Sequence, residues 1–203
     1  PLPPYIKRPD ETLDAERYQT VYARVCGSAA APTAGLHFTD GIISAIAERG
    51  IETAFITLHA GLGTFLPVRC ANVEDHKMHE EYFCIEDGAA EKIEAAKRDG
   101  RKVIAAGTTT LRALESAATG SGQIRRGERR TNIFIYGDYR FKIADALFTN
   151  FHTPESTLLM LVCAFAGADR GGDAGRRLIM ETYNEAISKN YNFFSYGDAM
   201  LIL

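Results

Sequence analysis

The almost unbroken apolar run Leu158–Phe165 limits the possible folds of this chain more than any other feature. A helix formed by such a run is apolar on every side, so it must be buried either in protein or in lipid. A membrane span needs roughly 20 apolar residues, whereas this run ends at Gly167. The sequence therefore predicts a helix buried inside a folded domain.

The residues before the run predict where this helix begins. Thr153 is a favourable N-cap and Pro154 suits the first helical position. That start places His152 beside the positive end of the helix dipole, which favours neutral imidazole over imidazolium. A neutral histidine there can accept a proton or form a hydrogen bond with a ligand. The alternative is a histidine that only satisfies backbone groups at a helix start.

Strand and helix patterns alternate through most of the chain, which predicts an α/β fold with a mixed, largely parallel sheet. We expect one domain over residues 1–203, with an extended arm at 1–9, because its proline-rich sequence cannot form a helix. Strands are predicted at 53–59, 102–107, 132–136, 146–151 and 193–203, and helices at 14–25, 40–50, 88–100, 108–118, 153–167 and 177–190.

Composition narrows the class of protein. The 203 residues are 46% hydrophobic and 24% charged, which is typical of a globular protein. The net charge of −3 gives no general sign of nucleic-acid binding. The exception is a basic patch in a Gly-rich loop, formed by Arg125, Arg126, Arg129 and Arg130, and a solvated loop is its favoured meaning. No signal peptide or transmembrane run is found, which predicts a cytoplasmic protein without a membrane partner.

Several distinctive motifs directly follow predicted strands. In open α/β sheets ligands bind where strands end and helices begin. The motifs "LHAGLGTF", "AAGTTTLR" and "TNFHTPEST" each follow a strand, and "APTAGLHFT" opens a helix. The sequence therefore predicts that these motifs share one cleft.

Two of these motifs are suited to ligand binding. The motif "GTTTLR" at 107–112 combines a glycine turn, threonine hydroxyls, free helix N–H groups and a guanidinium, as a carboxylate or phosphate site requires. Ordinary helix capping by threonine is the alternative. In "HAGLGTF", Gly61 and Gly63 would let the backbone approach a ligand closely, although a tight turn explains them equally well.

The motif "HKMHEE" at 76–81 is the one place where a metal site can be argued. His76 and His79 lie three residues apart, with Glu80 and Glu81 beside them. The spacing lacks the HExxH arrangement of zinc enzymes, so no metal is predicted. Hydrogen-bonding histidines beside a carboxylate are favoured instead.

Eight motifs together resemble the S-adenosylmethionine:tRNA ribosyltransferase-isomerase family of queuosine biosynthesis. They occur in the family's order and cover essentially the whole chain, as "PLPPYI", "YQTVYA", "APTAGLHFT", "TLHAGLGTFLPV", "HKMHEE", "AAGTTTLRALE", "TNFHTPESTLLMLV" and "FFSYGDAMLI". The resemblance implies the C-terminal part of a large, barrel-like α/β domain. It also implies that the family's small β-barrel domain is absent from this chain.

The resemblance also implies an activity. The family moves the ribosyl unit of S-adenosylmethionine to the 7-aminomethyl-7-deazaguanine base in a tRNA anticodon. Adenine and methionine leave, and the product is epoxyqueuosine in tRNA. Such an enzyme uses S-adenosylmethionine as a substrate, binds tRNA and holds no metal or permanent cofactor. A monomer is expected. The alternative is a non-catalytic RNA- or nucleotide-binding fragment of such an enzyme.

This chemistry needs a base, an acid and an anion pocket, and residues within the matching motifs can supply them. These assignments follow from side-chain chemistry, because the resemblance does not fix the roles. The candidate catalytic residues are His37, His59 and His152, and the candidate ligand-binding residues are Gly61, Gly63, Thr64, Thr108, Thr109, Arg112 and Asp198. Thr108, Thr109 and Arg112 would hold a carboxylate or phosphate, and Asp198 would hold ribose hydroxyls.

Three departures from the family pattern affect the expected tRNA-binding face. Glu155 stands where the family pattern has a lysine, "GDY" at 137–139 replaces "PGY", and Asn192 replaces an arginine. Replacing lysine by glutamate near a polyanion weakens the local attraction to tRNA. The departures therefore concern docking more than chemistry.

Overall fold

A computed structural model describes residues 2–3, 6–9, 11–61, 68–120, 122–168 and 170–203. In these ranges the helices are α1 (Asp14–Arg17), α2 (Asp40–Glu48), α3 (Asp87–Arg98), α4 (Thr108–Ala117), α5 (Thr157–Ala166) and α6 (Ala174–Ser188). The strands are β1 (Thr57–His59), β2 (Glu81–Ile85), β3 (Ile104–Ala106), β4 (Ala118–Gly120), β5 (Gln123–Ile124), β6 (Gly127–Thr131), β7 (Ala146–Asn150) and β8 (Ala199–Ile202). Short 3-10 turns occupy Thr33–His37 and Val73–Asp75. The predicted α/β class is confirmed.

The strands form small sheets of mostly antiparallel pairs. One three-stranded sheet has the order β1-β2-β6, a second has the order β3-β7-β8, and β4 and β5 form a two-stranded ribbon. Within the described ranges only β3 and β7 pair in parallel, and no closed barrel is formed. The prediction of a largely parallel sheet is therefore wrong, because β2 and β6 make an antiparallel sheet that the sequence patterns did not reveal.

Helix α4 joins the two three-stranded sheets. It contacts β1 and β6 of one sheet, β3 and β7 of the other, and helix α5. Most of its residues are buried, including the core residues Leu111 and Leu114. Further core residues come from the strands and from α5, among them Phe83, Leu147 and Leu161. Burial of such side chains supplies most of the stabilisation of a domain. Because most of α4 is buried in this core, the position of its N-terminus is fixed by the surrounding packing.

The buried helix α5 begins later than the sequence predicts. Its N-cap is Ser156, whose hydroxyl accepts a hydrogen bond from the Leu159 N–H at 3.2 Å. Glu155 has a φ of 54°, in the left-handed region, so a right-handed helix cannot run back through it to Pro154. Thr153 is therefore not the N-cap. The predicted burial is confirmed for most of the helix, including Leu158, Leu161 and Val162.

The predicted helix at 14–25 is also wrong beyond Arg17. Tyr18 and Tyr22 lie four residues apart, a spacing typical of one face of a helix, but they make contacts across the fold instead. The Tyr18 and Tyr196 ring centroids are 5.5 Å apart, and those of Tyr22 and Phe55 are 5.2 Å apart. These tertiary contacts outweigh a weak local helix preference.

The other predictions are confirmed to different degrees. Helices α2, α3, α4 and α6 and strands β3 and β7 lie where the patterns place them, and the side chain of Thr39 caps α2. Only 57–59 of the first predicted strand is regular, and β8 covers only the end of the last one. The strand predicted at residues 132–136 is not formed. The strand in this part of the chain is instead β6, the charged segment that directly precedes these residues. None of the helices in the described ranges is long and apolar enough to cross a membrane.

Gly175 allows α5 and α6 to pack closely. A Cβ there would overlap the Cys163 carbonyl oxygen and lie 2.5 Å from the backbone nitrogen of Gly167. We expect Gly175→Ala to lower the free energy of unfolding by about 1–3 kcal/mol, the usual cost of overpacking. Gly88 is a matched control, because it also lies in the first turn of a helix but has no atom within 4 Å of an added Cβ.

Gly88→Ala should stabilise the chain by up to about 1 kcal/mol, since alanine favours helix more than glycine does. Denaturant unfolding of the two variants checks the expectation. Equal effects of the two substitutions would show that the α5–α6 contact is not as tight as the structure indicates.

Candidate functional site

A cavity of about 50 Å³ opens where the parallel strands β3 and β7 end. All four motifs that were predicted to share a cleft contribute to its described walls, and a fifth motif of the series, "FFSYGDAMLI", joins them. The lining includes Pro32 and Thr33 of "APTAGLHFT", Thr108 and Thr109 of "AAGTTTLR", Asn150 and His152 of "TNFHTPEST", and Phe194 and Ser195 of "FFSYGDAMLI". From "LHAGLGTF" the described lining residue is Ala60. The structure therefore brings the predicted motifs to one place at the carboxyl ends of the parallel strands.

The N-terminus of α4 forms one wall of the cavity. Gly107 has a φ of 100°, which glycine adopts without strain, and its N–H donates to the Phe148 carbonyl oxygen at 2.8 Å. This bond ties the turn before α4 to β7. Thr108 and Thr109, both buried, start the helix and line the cavity. The first N–H groups of a helix have no partners within the helix, so this wall is suited to a carboxylate or phosphate.

His152 forms another part of the wall, two residues beyond the end of β7. Its Nε2 lies 3.0 Å from the Thr149 hydroxyl, and its backbone N–H donates to the Tyr183 hydroxyl at 2.9 Å. The preceding residue, Phe151, is buried, with its ring centroid 5.2 Å from that of Tyr183. The position of His152 is thus fixed through both its ring and its backbone.

Burial lowers the pKa of His152 from 6.5 to about 4. The expected neutral imidazole therefore follows from desolvation and not from the dipole of α5, which begins five residues later at Thr157. A neutral imidazole at pH 7 can accept a proton or a hydrogen bond from a bound group.

The lowered pKa of His152 predicts a pH dependence of stability. Because the folded-state pKa lies below the unfolded value, protonation favours the unfolded chain. The stabilisation is complete above about pH 6.5 and is lost as the pH falls towards 4. The difference between the two pKa values corresponds to at most roughly 3 kcal/mol of unfolding free energy.

Urea unfolding of the wild type and of His152→Gln at about pH 7 and about pH 5 measures this effect. The wild type should lose more free energy of unfolding between these two pH values than the variant does. Carboxylates contribute equally to both proteins, so they cancel in the comparison. Equal losses would show that His152 is not neutralised by burial.

His37 contacts the cavity residue Asn150. Its Nε2 is 3.0 Å from Asn150 Nδ2, and its ring contacts that of Phe148 edge-on at a centroid distance of 5.6 Å. Desolvation lowers the pKa of His37, while the negative charge of Asp198 opposes this effect. His37 and His152 are therefore both favoured in the neutral form, and their rings contact Asn150 and Thr149 at the end of β7.

The family model for the queuosine biosynthesis protein matches residues 1–202. The chain belongs to the queuosine biosynthesis protein family. The resemblance of the eight motifs is thereby confirmed, and the cavity is built from the segments that carry it.

Several curated members of the family are similar over the whole chain. A protein of Legionella pneumophila (strain Corby) named S-adenosylmethionine:tRNA ribosyltransferase-isomerase is 57% identical over 203 residues, which are 100% of this chain and 58% of that protein. Proteins of the same name from Treponema denticola and Geobacter sulfurreducens are 55% and 54% identical and are covered to 56% and 57%. The chain thus spans less than two thirds of the length of these relatives.

A solved structure of a family member has a similar fold. The crystal structure of S-adenosylmethionine tRNA ribosyltransferase from Thermotoga maritima matches with a TM-score of 0.64 and 40% identity. The match covers 84% of this chain and 51% of the other. The α/β arrangement described above is therefore one that the family adopts.

Arg112 does not line the cavity, in contrast to its predicted role beside Thr108 and Thr109. Its guanidinium is buried in an ion pair with Glu81 of β2, and its Nε donates to the Ile133 carbonyl oxygen at 3.1 Å. The reason is helical geometry, because Arg112 lies on the side of α4 that packs against the β1-β2-β6 sheet. Its Nη2 has no hydrogen-bond partner among the described residues.

His59 lies at the end of β1, next to the cavity residue Ala60. Its ring packs against Tyr82 at a centroid distance of 4.9 Å, and its buried Nε2 has no partner in the described part of the chain. Gly61 follows at the edge of the described range. Gly63 and Thr64 lie outside the described residues. The predicted roles of His59 and Gly61 stay predictions.

Asp198 closes a turn near His37. Its carboxylate accepts a hydrogen bond from the Asn192 backbone N–H at 2.6 Å, and its own N–H donates to the Asn192 carbonyl oxygen at 2.7 Å. Asp198 does not line the described cavity, so its predicted contact with ribose stays a prediction. The departure at Asn192 places a side chain 3.4 Å from the same carboxylate.

The motif with His76 and His79 lies away from the cavity. His76 packs against the ring of Phe134 at 5.3 Å, and the Glu80 carboxylate accepts from Arg130 at 2.8 Å. In the described ranges no group of three or more histidine, cysteine, aspartate or glutamate side chains is arranged to hold a metal ion.

Sequence reasoning missed two side chains that organise the site. Asn150 is buried and hydrogen-bonds to residues of two other motifs, and the Tyr183 hydroxyl fixes the backbone of His152. Asn150 lies inside the motif "TNFHTPEST", so its position was a usable signal. Nothing local distinguishes Tyr183 from an ordinary core residue of α6.

Proposed function

We propose that this chain carries part of the active site of an S-adenosylmethionine:tRNA ribosyltransferase-isomerase. The proposed reaction transfers the ribosyl unit of S-adenosylmethionine to a 7-aminomethyl-7-deazaguanine base in tRNA and isomerises it, so that adenine and methionine are released. We further propose a cytoplasmic, monomeric enzyme without a resident metal or cofactor. The observation that carries the proposal is the convergence of five family motifs on one cavity at the ends of β3 and β7.

The two walls of the cavity supply complementary chemistry. The threonines and free N–H groups at the start of α4 favour an anionic group, for which the methionine carboxylate is a suitable occupant. The neutral imidazole of His152 can accept a proton or hydrogen-bond to a reacting group. A base is needed to remove a proton next to the sulfonium, and an acid or hydrogen-bond donor is needed as adenine leaves.

The described cavity is smaller than a complete site for such a ligand. Sites for drug-sized molecules usually have volumes of roughly 300–1,000 Å³, compared with about 50 Å³ here. We propose that this cavity holds one polar part of S-adenosylmethionine. Longer family members would contribute further walls from the part of their length that this chain does not match.

Mass spectrometry of a substrate tRNA tests the proposal. A tRNA carrying the 7-aminomethyl-7-deazaguanine base is incubated with the protein and S-adenosylmethionine. The expected result is a mass increase at that nucleotide corresponding to the epoxycyclopentanediol group, together with free adenine and methionine in equal amounts. A control that contains S-adenosylhomocysteine in place of S-adenosylmethionine should give no modified nucleotide.

The same assay distinguishes the alternative of a non-catalytic RNA- or nucleotide-binding fragment. The 203-residue chain is compared with a full-length protein that contains this segment. Modification by the longer protein alone means that the chain is an incomplete enzyme. Binding of tRNA without modification by either protein would overturn the proposal.

A further inference from the structure

The side chain of Asn150 connects three segments around the cavity. Asn150 is the last residue of β7 and is only 2% exposed. Its Nδ2 lies 3.2 Å from the Phe194 carbonyl oxygen and 3.0 Å from His37 Nε2, and the Thr33 hydroxyl donates to its Oδ1 at 3.3 Å. All four residues of this network belong to segments that line or adjoin the cavity.

The chemistry of the partners fixes the orientation of the amide. A carbonyl oxygen can only accept a hydrogen bond, so the atom of Asn150 that faces Phe194 must be the NH₂ group. The Thr33 hydroxyl can donate, which suits the remaining amide oxygen. The orientation of the Asn150 amide therefore follows from its hydrogen-bond partners, and the placement of its nitrogen and oxygen atoms need not be assumed.

The same NH₂ group then determines the protonation of His37. An amide NH₂ only donates, and it has two hydrogens, one for the Phe194 carbonyl and one for His37 Nε2. His37 Nε2 must therefore accept, so it carries no proton. A neutral imidazole without a proton on Nε2 carries its proton on Nδ1.

Backbone strain at Phe194 indicates that this network is strongly held. Phe194 has a φ of 74°, an uncommon conformation for a non-glycine residue that persists only where surrounding contacts impose it. Its N–H donates to the Phe151 carbonyl oxygen at 3.1 Å, and its own carbonyl oxygen accepts from Asn150. The strained turn thus presents its carbonyl to the amide that holds His37.

We infer that Asn150 is a positioning residue that fixes His37 as the tautomer protonated on Nδ1. The Nδ1–H group is then the polar group that His37 has available for a ligand, so His37 acts as a hydrogen-bond donor and not as a base through Nε2. The role towards a ligand rests on the proposed function, whereas the tautomer does not. This inference separates His37 from His152, whose ring nitrogen contacts a hydroxyl that can donate or accept.

The charges around His37 agree with a neutral ring. The neighbouring strand β7 contributes the uncharged side chains of Phe148 and Asn150, and the turn at 192–198 contributes Asp198. The pKa of His37 is lowered by desolvation despite the opposing effect of Asp198. Protonation of Nε2 would place two donors face to face, which adds to the cost of the charged form.

Nitrogen NMR spectroscopy of the ¹⁵N-labelled full chain tests the tautomer without any turnover. Long-range proton–nitrogen spectra distinguish protonated from unprotonated imidazole nitrogens, and His37→Gln assigns the His37 signals. At about pH 7 we expect a protonated Nδ1 and an unprotonated Nε2. A protonated Nε2 would overturn the inference, whether or not the chain is active on tRNA.

A second measurement uses Asn150→Asp. A carboxylate at this position would stabilise the imidazolium, so the pKa of His37 should rise above its ordinary value of 6.5. Asn132→Asp adds the same charge at an exposed position and should leave the His37 titration unchanged. A folded Asn150→Asp protein with an unchanged His37 titration would contradict the inference. If that variant does not fold, the wild-type spectrum alone decides the question.

Discussion

Replacement of His152 by alanine is expected to lower turnover by about 100-fold or more, the usual scale for loss of a general acid or base. The imidazole lines the cavity and is kept neutral by burial, so it is poised to exchange a proton with a bound group. The backbone of His152 keeps its hydrogen bond to Tyr183 in the variant, so the fold should change little. Product formation per folded molecule is measured, in a full-length protein carrying this segment if the chain alone is inactive.

Tyr183→Phe is the matched control for a purely structural role. It removes the hydroxyl that accepts the His152 N–H but leaves the imidazole in place. Loss of this hydrogen bond should cost about 0.5–1.5 kcal/mol of unfolding free energy, with a much smaller effect on turnover than His152→Ala. If His152→Ala instead lowers stability and keeps near-normal turnover, His152 is a structural residue.

Replacement of Glu81 by alanine is expected to destabilise the chain by about 3–5 kcal/mol, because it leaves a buried guanidinium without its counter-charge. The side chains of Arg112 and Glu81 are 2% and 6% exposed. Burial lowers the pKa of Arg112, and the charge of Glu81 opposes this effect. The loss should appear in denaturant unfolding at neutral pH.

Glu80, next to Glu81 in the sequence, provides a control because it forms the same kind of glutamate–arginine ion pair at the surface. Glu80 pairs with Arg130 at 2.8 Å, but the two side chains are 55% and 69% exposed. Glu80→Ala should therefore cost less than about 1 kcal/mol. Replacing both Glu81 and Arg112 by apolar residues of similar volume should be far less harmful than Glu81→Ala. Equal losses from Glu80→Ala and Glu81→Ala would contradict the view that burial determines the cost.

The parts of the fold that the sequence predicted correctly depend on strong local patterns. The glycine before α4 and the threonine before α2 mark helix starts, and the apolar periodicity of α3 and α6 marks their buried faces. The shared cleft could be predicted because strands β3 and β7 are apolar and their motifs follow directly. These signals lie within a few residues of the feature they predict.

The errors arise where distant contacts decide the structure. The charged sequence of β6 is typical of a loop. It forms a strand because it pairs with β2, which lies more than 40 residues earlier in the chain. The start of α5 depends on the left-handed conformation of Glu155, which no pattern indicates. Local spacing therefore could not reveal the antiparallel sheet or the true N-cap.

In the candidate site, too, local motifs predicted some features, whereas distant contacts determined others. The position of Thr108, Thr109 and His152 at the cavity could be predicted, because they lie in short motifs at strand ends. Arg112 lies in one of those motifs as well, but its partner Glu81 is 31 residues away in sequence. The importance of Asn150 depends on contacts with Thr33 and His37, which are 117 and 113 residues away. Such networks become visible only in three dimensions.

A crystal structure of a full-length protein carrying this segment, with S-adenosylmethionine bound, tests the central claim most directly. We expect a polar group of the ligand within hydrogen-bond distance of Thr108 or Thr109, and a reacting part of the ligand in contact with His152. Hydrogen bonds from the start of α4 to the methionine carboxylate would show that this wall is the anion site. A ligand bound elsewhere, without contact to the threonines or to His152, would contradict the assignment of this cavity to the active site.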